Sequence, residues 1–96
     1  MRQYEVAYIV HPDLDETAFT ELNDRVREMI EKGDGKVTKV ELWGKKRLAY
    51  EIRKQKEGQY VFLQTEMPPA LCSEIERNFT LLEPVMRFMI TQAEED

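Results

Sequence analysis

The alternation between two hydrophobic periodicities constrains the fold of this chain more than any other feature. Apolar residues at every second position predict strands, and apolar residues at intervals of three and four predict helices. The predicted strands cover residues 2–10, 36–52, 59–67 and 85–91. One predicted helix lies between the first and second strands and another between the third and fourth, so the order of elements is βαββαβ.

Residues that favour helix ends mark the limits of the two helices. Asp13, with Glu16 three residues later, is the expected N-cap of the first helix, and Gly33 is expected to end it with a positive φ. Pro68-Pro69 opens the second helix, because proline is tolerated in a first turn, and Glu83-Pro84 stops it.

This order predicts the α+β, ferredoxin-like class of fold. Two βαβ units interlock there in one four-stranded antiparallel sheet, with two helices on one face. Right-handed crossovers leave few other ways to connect the elements. A chain of 96 residues is too short for two cores, so we expect one domain over residues 1–92, followed by a short acidic tail over 93–96. One face of the sheet is then covered by the helices, and the other face is free.

Alternation within each strand separates core-facing from free-facing residues. The better core face of the first strand comprises Tyr4, Val6, Tyr8 and Val10. The free face is expected to carry an apolar cluster, Ile9, Tyr60, Phe62 and Met89, beside the polar residues Gln3, Glu5, Gln64, Glu66 and Arg87. An apolar patch ringed by polar groups usually marks a protein-binding surface, although aromatic rings also stack on unpaired bases.

Positive charge is concentrated in residues 36–56. They contain eight lysines and arginines against two acids, Glu41 and Glu51, a local charge of +6 in a chain of net charge −5. Lysines on a hairpin edge also prevent unwanted strand pairing, and this explains part of the excess.

Three consecutive cations, Lys45 to Arg47, directly follow Gly44, where a break in alternation indicates a bulge or bend. The polar residues 54–58 are the expected turn into the third strand. Because lysine and arginine bind nucleic-acid phosphates, these cations favour contact with a nucleic acid.

The sequence contains little evidence for a catalytic site. The single histidine, His11, precedes a proline, and Cys72 lies near the inward face of the second helix, where a small apolar residue is the simpler role. Metal-ligand and phosphate-loop motifs are absent from the sequence, and Asp13 and Asp15 fit helix capping. An acylphosphatase-like enzyme would need a glycine-rich, cationic loop after the first strand, but residues 10–14 contain neither. We expect no catalytic site, metal or cofactor.

Compartment signals point to the cytoplasm. No apolar run reaches the roughly 18 residues of a membrane span, and residues 1–5 lack the apolar stretch of a secretory signal. The lone Cys72 cannot form an internal disulfide, which fits a reducing compartment. We therefore expect a cytoplasmic protein with no membrane partner.

The residues after Trp43 also resemble a family motif. Residues 44–53, Gly-Lys-Lys-Arg-Leu-Ala-Tyr-Glu-Ile-Arg, resemble the Gly-x-Lys/Arg-x-Leu-Ala-Tyr-x-Ile-Lys/Arg motif of the bacterial small-subunit ribosomal protein S6 family. Similar features of that family are Arg2-x-Tyr4-Glu5, Gly58-x-Tyr60, Glu66-Met67-Pro68 and a last strand with Arg87, so the resemblance covers about residues 2–92. Glu51 departs from the motif, because the family often has proline there.

This resemblance implies a ferredoxin-like, non-catalytic component of the bacterial small ribosomal subunit. Members of the family pair with ribosomal protein S18 and bind the central domain of small-subunit ribosomal RNA. RNA phosphate contacts are expected from Arg2, Lys45, Lys46, Arg47, Arg53 and Arg87. The face expected to bind the protein partner or RNA comprises Glu5, Ile9, Tyr60, Phe62, Glu66 and Met89. The alternative is a self-associating ferredoxin-like regulatory or ligand-binding module.

Overall fold

The computed structural model describes residues 1–93 and confirms the predicted order of elements. The elements are β1 (Arg2–Val10), α1 (Glu16–Lys32), β2 (Lys36–Ile52), β3 (Gln55–Met67), α2 (Pro69–Leu81) and β4 (Val85–Gln92). Of the expected acidic tail, all but Ala93 lies outside the described residues.

The four strands form one antiparallel sheet in the order β2-β3-β1-β4, so β1 and β3 are central. Both helices pack on the same face of this sheet, which confirms the ferredoxin-like class. The core combines alternate strand residues with the inward helix positions: Tyr4, Val6, Tyr8, Val10, Val61, Leu63, Met67, Leu22, Val26, Ile30, Leu71, Ile75 and Phe79. Each fully buried side chain of this size contributes ~1.5–3 kcal/mol relative to an exposed one. The predicted core faces of β1 and β3 are therefore confirmed.

Helix α1 begins later than the sequence suggested, and the prediction of Asp13 as N-cap is wrong. The carboxylate of Asp15 accepts a hydrogen bond from the backbone N–H of Ala18 at 2.8 Å, so Asp15 is the N-cap. Asp13 lies two residues earlier, where its own N–H donates to Nδ1 of His11. The N–H of Leu14 donates to the carbonyl of His11, and this separate turn delays the helix.

The end of α1 also differs from expectation, because Gly33 does not adopt a positive φ. Its φ is −90°, and the left-handed conformation falls on Asp34, with φ 67°. Aspartate tolerates that region because its short polar side chain can hydrogen-bond locally. Gly33 is needed for another reason: a Cβ there would lie 2.2 Å from the side chain of Leu71, so glycine lets the end of α1 approach α2.

The turn between β2 and β3 is shorter than predicted. Residues 54–58 are not a polar loop, because β3 already begins at Gln55. Arg53 and Lys54 form the whole connection, with φ values of 51° and 64°. Positive φ at both central residues is the signature of a two-residue type I′ hairpin turn, which matches the twist of the strands it joins.

The longer strands make the β2–β3 hairpin project beyond the rest of the sheet. β1 ends where Val10 pairs with Gln59, so residues 46–58 continue as a two-stranded hairpin, here called the hairpin arm. Within the arm, residues 48–51 of β2 lie opposite the single residue Lys56 of β3. Three extra residues in one strand bend it sharply. The tip of the arm curls towards β4, where Arg53 contacts the backbone of Glu83 and Val85.

Candidate nucleic-acid and partner surfaces

The strand register places the predicted apolar cluster on the uncovered face of the sheet. Phe62 pairs with Ala7, Tyr60 pairs with Ile9, and Ile9 pairs in turn with Arg87 on β4. Directly opposed residues project from the same face, and the core residues of β1 and β3 occupy the alternate positions. The centre of this face, called the free face below, is a shallow depression lined by Ala7, Ile9, Tyr60, Phe62, Arg87 and Met89.

Exposure on the free face increases from the central strand β3 towards the edge strand β4. Tyr60 and Phe62 are half-buried, whereas Met89 is 62% exposed. The half-buried carboxylates Glu5 and Glu66 lie on the same face, where Glu5 pairs with Gln64 and Glu66 pairs with Gln3. The structure therefore brings together the six residues that the sequence predicted for this face: Glu5, Ile9, Tyr60, Phe62, Glu66 and Met89.

Trp43 joins this face, although the sequence analysis did not place it there. Leu42 pairs with Val61 and Gly44 pairs with Tyr60, so Trp43 is the extra residue of a β-bulge. Its ring packs 4.6 Å from the ring of Phe62, centroid to centroid, and remains 54% exposed. The sequence does contain a signal for this position: the tryptophan directly precedes the glycine at which the strand alternation is interrupted.

The orientation of Trp43 is held by Glu41. The indole Nε1 donates a hydrogen bond to Oε2 of this carboxylate at 3.2 Å, and Nζ of Lys39 lies 3.0 Å from the other oxygen. These contacts lower the pKa of Glu41, with the hydrogen bond from Lys39 as the largest cause and that from Trp43 next. Glu41 is therefore an internal partner of the indole and ammonium groups.

The three consecutive cations lie at the base of the hairpin arm and are all exposed. Lys46 pairs with Gly58 and so projects on the free face, whereas Lys45 and Arg47 belong to the helix side. Within residues 1–93, the ion pair found is that between Lys39 and Glu41, and it involves none of the three. Their charges are available to a ligand, although they are divided between two faces of the hairpin.

Arg53 and Arg87 contact other parts of the chain. The guanidinium of Arg53 donates to the backbone carbonyls of Glu83 at 2.8 Å and Val85 at 3.2 Å. Arg87 donates to the hydroxyl of Tyr50. Both arginines thus connect the hairpin arm to β4 or to the segment preceding it.

Arg2 lies far from the other predicted RNA contacts. It pairs with Met67 at the end of β3, whereas Arg47 pairs with Glu57 near the beginning of the same strand. Ten residue steps along a strand correspond to roughly 34 Å. The six residues predicted to contact RNA therefore do not form one continuous patch.

The residues considered for catalysis also lie apart. Cys72 is half-buried near Tyr4 at the beginning of β1, whereas His11 follows the end of that strand. Burial raises the pKa of the Cys72 thiol, the opposite of what activates a nucleophile.

Neither described helix is long and apolar enough to span a membrane.

Comparison with known proteins gives a consistent result over nearly the whole chain. Residues 3–92 match the family model described as ribosomal protein S6. The small ribosomal subunit protein bS6 of Moorella thermoacetica is 42% identical over 96 residues, covering 100% of this chain and 98% of the relative. The bS6 protein of Streptomyces griseus is 43% identical over 94 residues, covering 98% of each.

One solved structure supports the same relationship, and a second shares only the fold. The 30S ribosomal protein S6 from Thermotoga maritima superimposes with a TM-score of 0.91 at 30% identity, covering 96% of this chain and 87% of that one. The C-terminal domain of the MgtC protein from Mycobacterium tuberculosis shares the fold alone, with a TM-score of 0.65 at 13% identity over 99% of this chain and 90% of that one.

Proposed function

The chain belongs to the ribosomal protein S6 family of the small ribosomal subunit, which is not an enzyme family, and from this premise we propose how it assembles. It binds the central domain of small-subunit ribosomal RNA together with ribosomal protein S18, on the cytoplasmic ribosome. The hairpin arm contacts RNA, and the free face of the sheet receives the protein partner.

The observation that supports RNA binding is the exposed group of cations at the base of the arm. Lys45, Lys46 and Arg47 lie outside the one ion pair found within residues 1–93, in a chain of net charge −5. Screening acts over about 8 Å at physiological salt, so acids on distant faces leave this local charge largely intact. These charges favour the binding of a polyanion such as RNA, because neutralising its phosphates releases the counterions condensed on it.

The free face has the properties of a protein-binding surface. Its centre is apolar and aromatic, around Phe62, and Glu5 and Glu66 lie towards one end. The two carboxylates repel a phosphate backbone and attract a basic protein, so we assign this face to the ribosomal protein partner. Arg2, at the far end of the sheet, would form a separate contact with RNA.

Removing the three cations at the base of the arm tests the proposal. We expect Lys45→Gln, Lys46→Gln and Arg47→Gln together to weaken binding to a transcribed central-domain RNA in the presence of S18. The log–log dependence of affinity on salt should flatten by up to about 0.7–0.9 per lost phosphate contact. Binding isotherms at several salt concentrations measure both quantities.

A second triple variant removes the same charge from the helices. Arg25→Gln, Lys32→Gln and Arg77→Gln change exposed residues of α1 and α2 and should leave the slope unchanged. If both triple variants behave alike, net charge rather than the arm governs binding. If the arm variant keeps the wild-type slope, its cations are not phosphate ligands.

A further inference from the structure

The tip of the hairpin arm is tied to the opposite side of the sheet by Arg53. Its two terminal nitrogens donate to the carbonyls of Glu83 and Val85, which are 30 and 32 positions away in the chain. These carbonyls belong to the connection before β4 and to its first residue. Because β2 and β4 are the two edge strands of the sheet, this contact joins elements that share no ladder.

The same arginine occupies a strained backbone position. Arg53 and Lys54 both have positive φ, a region that costs a non-glycine residue roughly 1–3 kcal/mol. Such conformations persist where contacts with the surrounding structure hold them in place. The two hydrogen bonds of Arg53 hold the turn in this conformation. The contact between Arg87 and Tyr50 adds a second link between the arm and β4.

We propose that Arg53 is a positioning residue for RNA binding and not a phosphate ligand. It fixes the curl of the arm against the segment preceding β4, and so fixes the direction in which Lys46 and Arg47 are presented. This inference rests on the proposed function, and it reassigns a residue that the sequence had grouped with the phosphate contacts.

The chemistry of the side chain supports this role. A guanidinium presents its N–H donors in a rigid planar fork, and two of them are already directed at backbone carbonyls. The neighbouring Lys54 is equally cationic and exposed, so a phosphate near the turn has another positive group to contact. What Lys54 lacks is the fork that can hold two carbonyls at once.

Three substitutions separate positioning from phosphate binding. Arg53→Lys keeps the charge and loses the fork, Arg53→Gln loses both, and Lys54→Gln removes the charge next to Arg53. We expect both Arg53 variants to accelerate amide hydrogen exchange in residues 48–56, while Lys54→Gln leaves this exchange unchanged. If the arm then adopts the binding orientation about one-fifth of the time, affinity for the central-domain RNA with S18 falls about fivefold.

The salt dependence decides between the two roles. For both Arg53 variants we expect weaker binding with the wild-type log–log slope, since no phosphate contact is lost. Wild-type affinity for Arg53→Lys, combined with a slope flattened by about 0.7–0.9 for Arg53→Gln, would make Arg53 a phosphate ligand and overturn the inference. Unchanged hydrogen exchange in Arg53→Lys would overturn the tether itself. Failure of the wild-type protein to bind the RNA would instead overturn the proposed function, and the role of Arg53 in binding with it.

Discussion

The guanidinium of Arg87 donates a 2.6 Å hydrogen bond to the hydroxyl of Tyr50 and lies 5.3 Å from the centroid of the same ring. Tyr50 belongs to the family-like motif on β2, and Arg87 belongs to β4 at the other edge of the sheet. Together with Arg53, this pair connects the hairpin arm to β4. The two proposed binding surfaces are therefore held in a defined relation to each other.

The coupling between Tyr50 and Arg87 should be measurable and small. Both residues are exposed, so the hydrogen bond and the cation–π contact together are expected to contribute about 0.5–1 kcal/mol to the free energy of unfolding. Urea denaturation of the wild type, Tyr50→Ala, Arg87→Gln and the double variant gives this coupling as a double-mutant cycle, because Tyr50→Ala removes both the hydroxyl and the ring. Additive effects of the two substitutions would show that the pair contributes nothing to stability.

A charge at the centre of the free face should disrupt pairing with the protein partner. Phe62→Glu places a carboxylate where we propose that S18 packs, and burying it without a partner costs ~2 kcal/mol or more. We therefore expect the complex with S18 to weaken tenfold or more, while circular dichroism shows a folded protein. The matched control is Leu81→Glu, because Leu81 is 77% exposed at the end of α2. Equal pairing in both variants would place the partner elsewhere.

Fluorescence of Trp43 should report the packing of the free face. The chain has one tryptophan, and one side of its ring rests on Phe62. Phe62→Ala exposes that side to water, so we expect tryptophan emission to move to longer wavelength. Met89→Ala removes a side chain from the same face on β4 and should leave the emission unchanged. An identical spectrum in Phe62→Ala would contradict the packing of the two rings against each other.

Alkaline pH should destabilise the fold through Tyr8. Burial raises the pKa of its hydroxyl above the ordinary value, although nearby Arg27 partly opposes the effect. Above about pH 10 the unfolded chain releases this proton while the folded chain retains it, so the free energy of unfolding falls as pH rises. Urea midpoints between pH 8 and 11 should fall less steeply in Tyr8→Phe than in the wild type.

Tyr8→Phe is also expected to lower the free energy of unfolding at neutral pH. The Tyr8 hydroxyl donates to Oδ1 of Asn23, so Tyr8→Phe is expected to lose about 0.5–1.5 kcal/mol at neutral pH as well. The informative quantity is therefore the slope of stability against pH. Parallel slopes in the two proteins would exclude Tyr8 as a source of the alkaline loss.

Local patterns predicted the elements well and their ends less well. The two-residue period of β1 gave the correct core residues, because burial selects apolar groups at that interval. The N-cap at Asp15 and the positive φ at Asp34 were missed, since several nearby residues could fill each role. The turn at Arg53 was missed because neither of its residues is a glycine or an asparagine.

For the candidate surfaces, too, local patterns predicted some features and missed others. That Phe62 and Tyr60 lie opposite the helices follows from alternation alone, and that lysines gather beside Gly44 is visible in the chain. The separation of Arg2 from Arg47 depends on strand pairing, which joins residues distant in sequence.

The amino-acid sequence by itself determined the order of strands and helices, the two sides of the sheet and the concentration of positive charge, because each depends on residues close together in the chain. The tertiary structure decided that Trp43 packs against Phe62 and that Arg53 and Arg87 hold the hairpin arm. Those contacts depend on a β-bulge, a strand register and a close approach between residues more than thirty positions apart, and local periodicity carries no information about them.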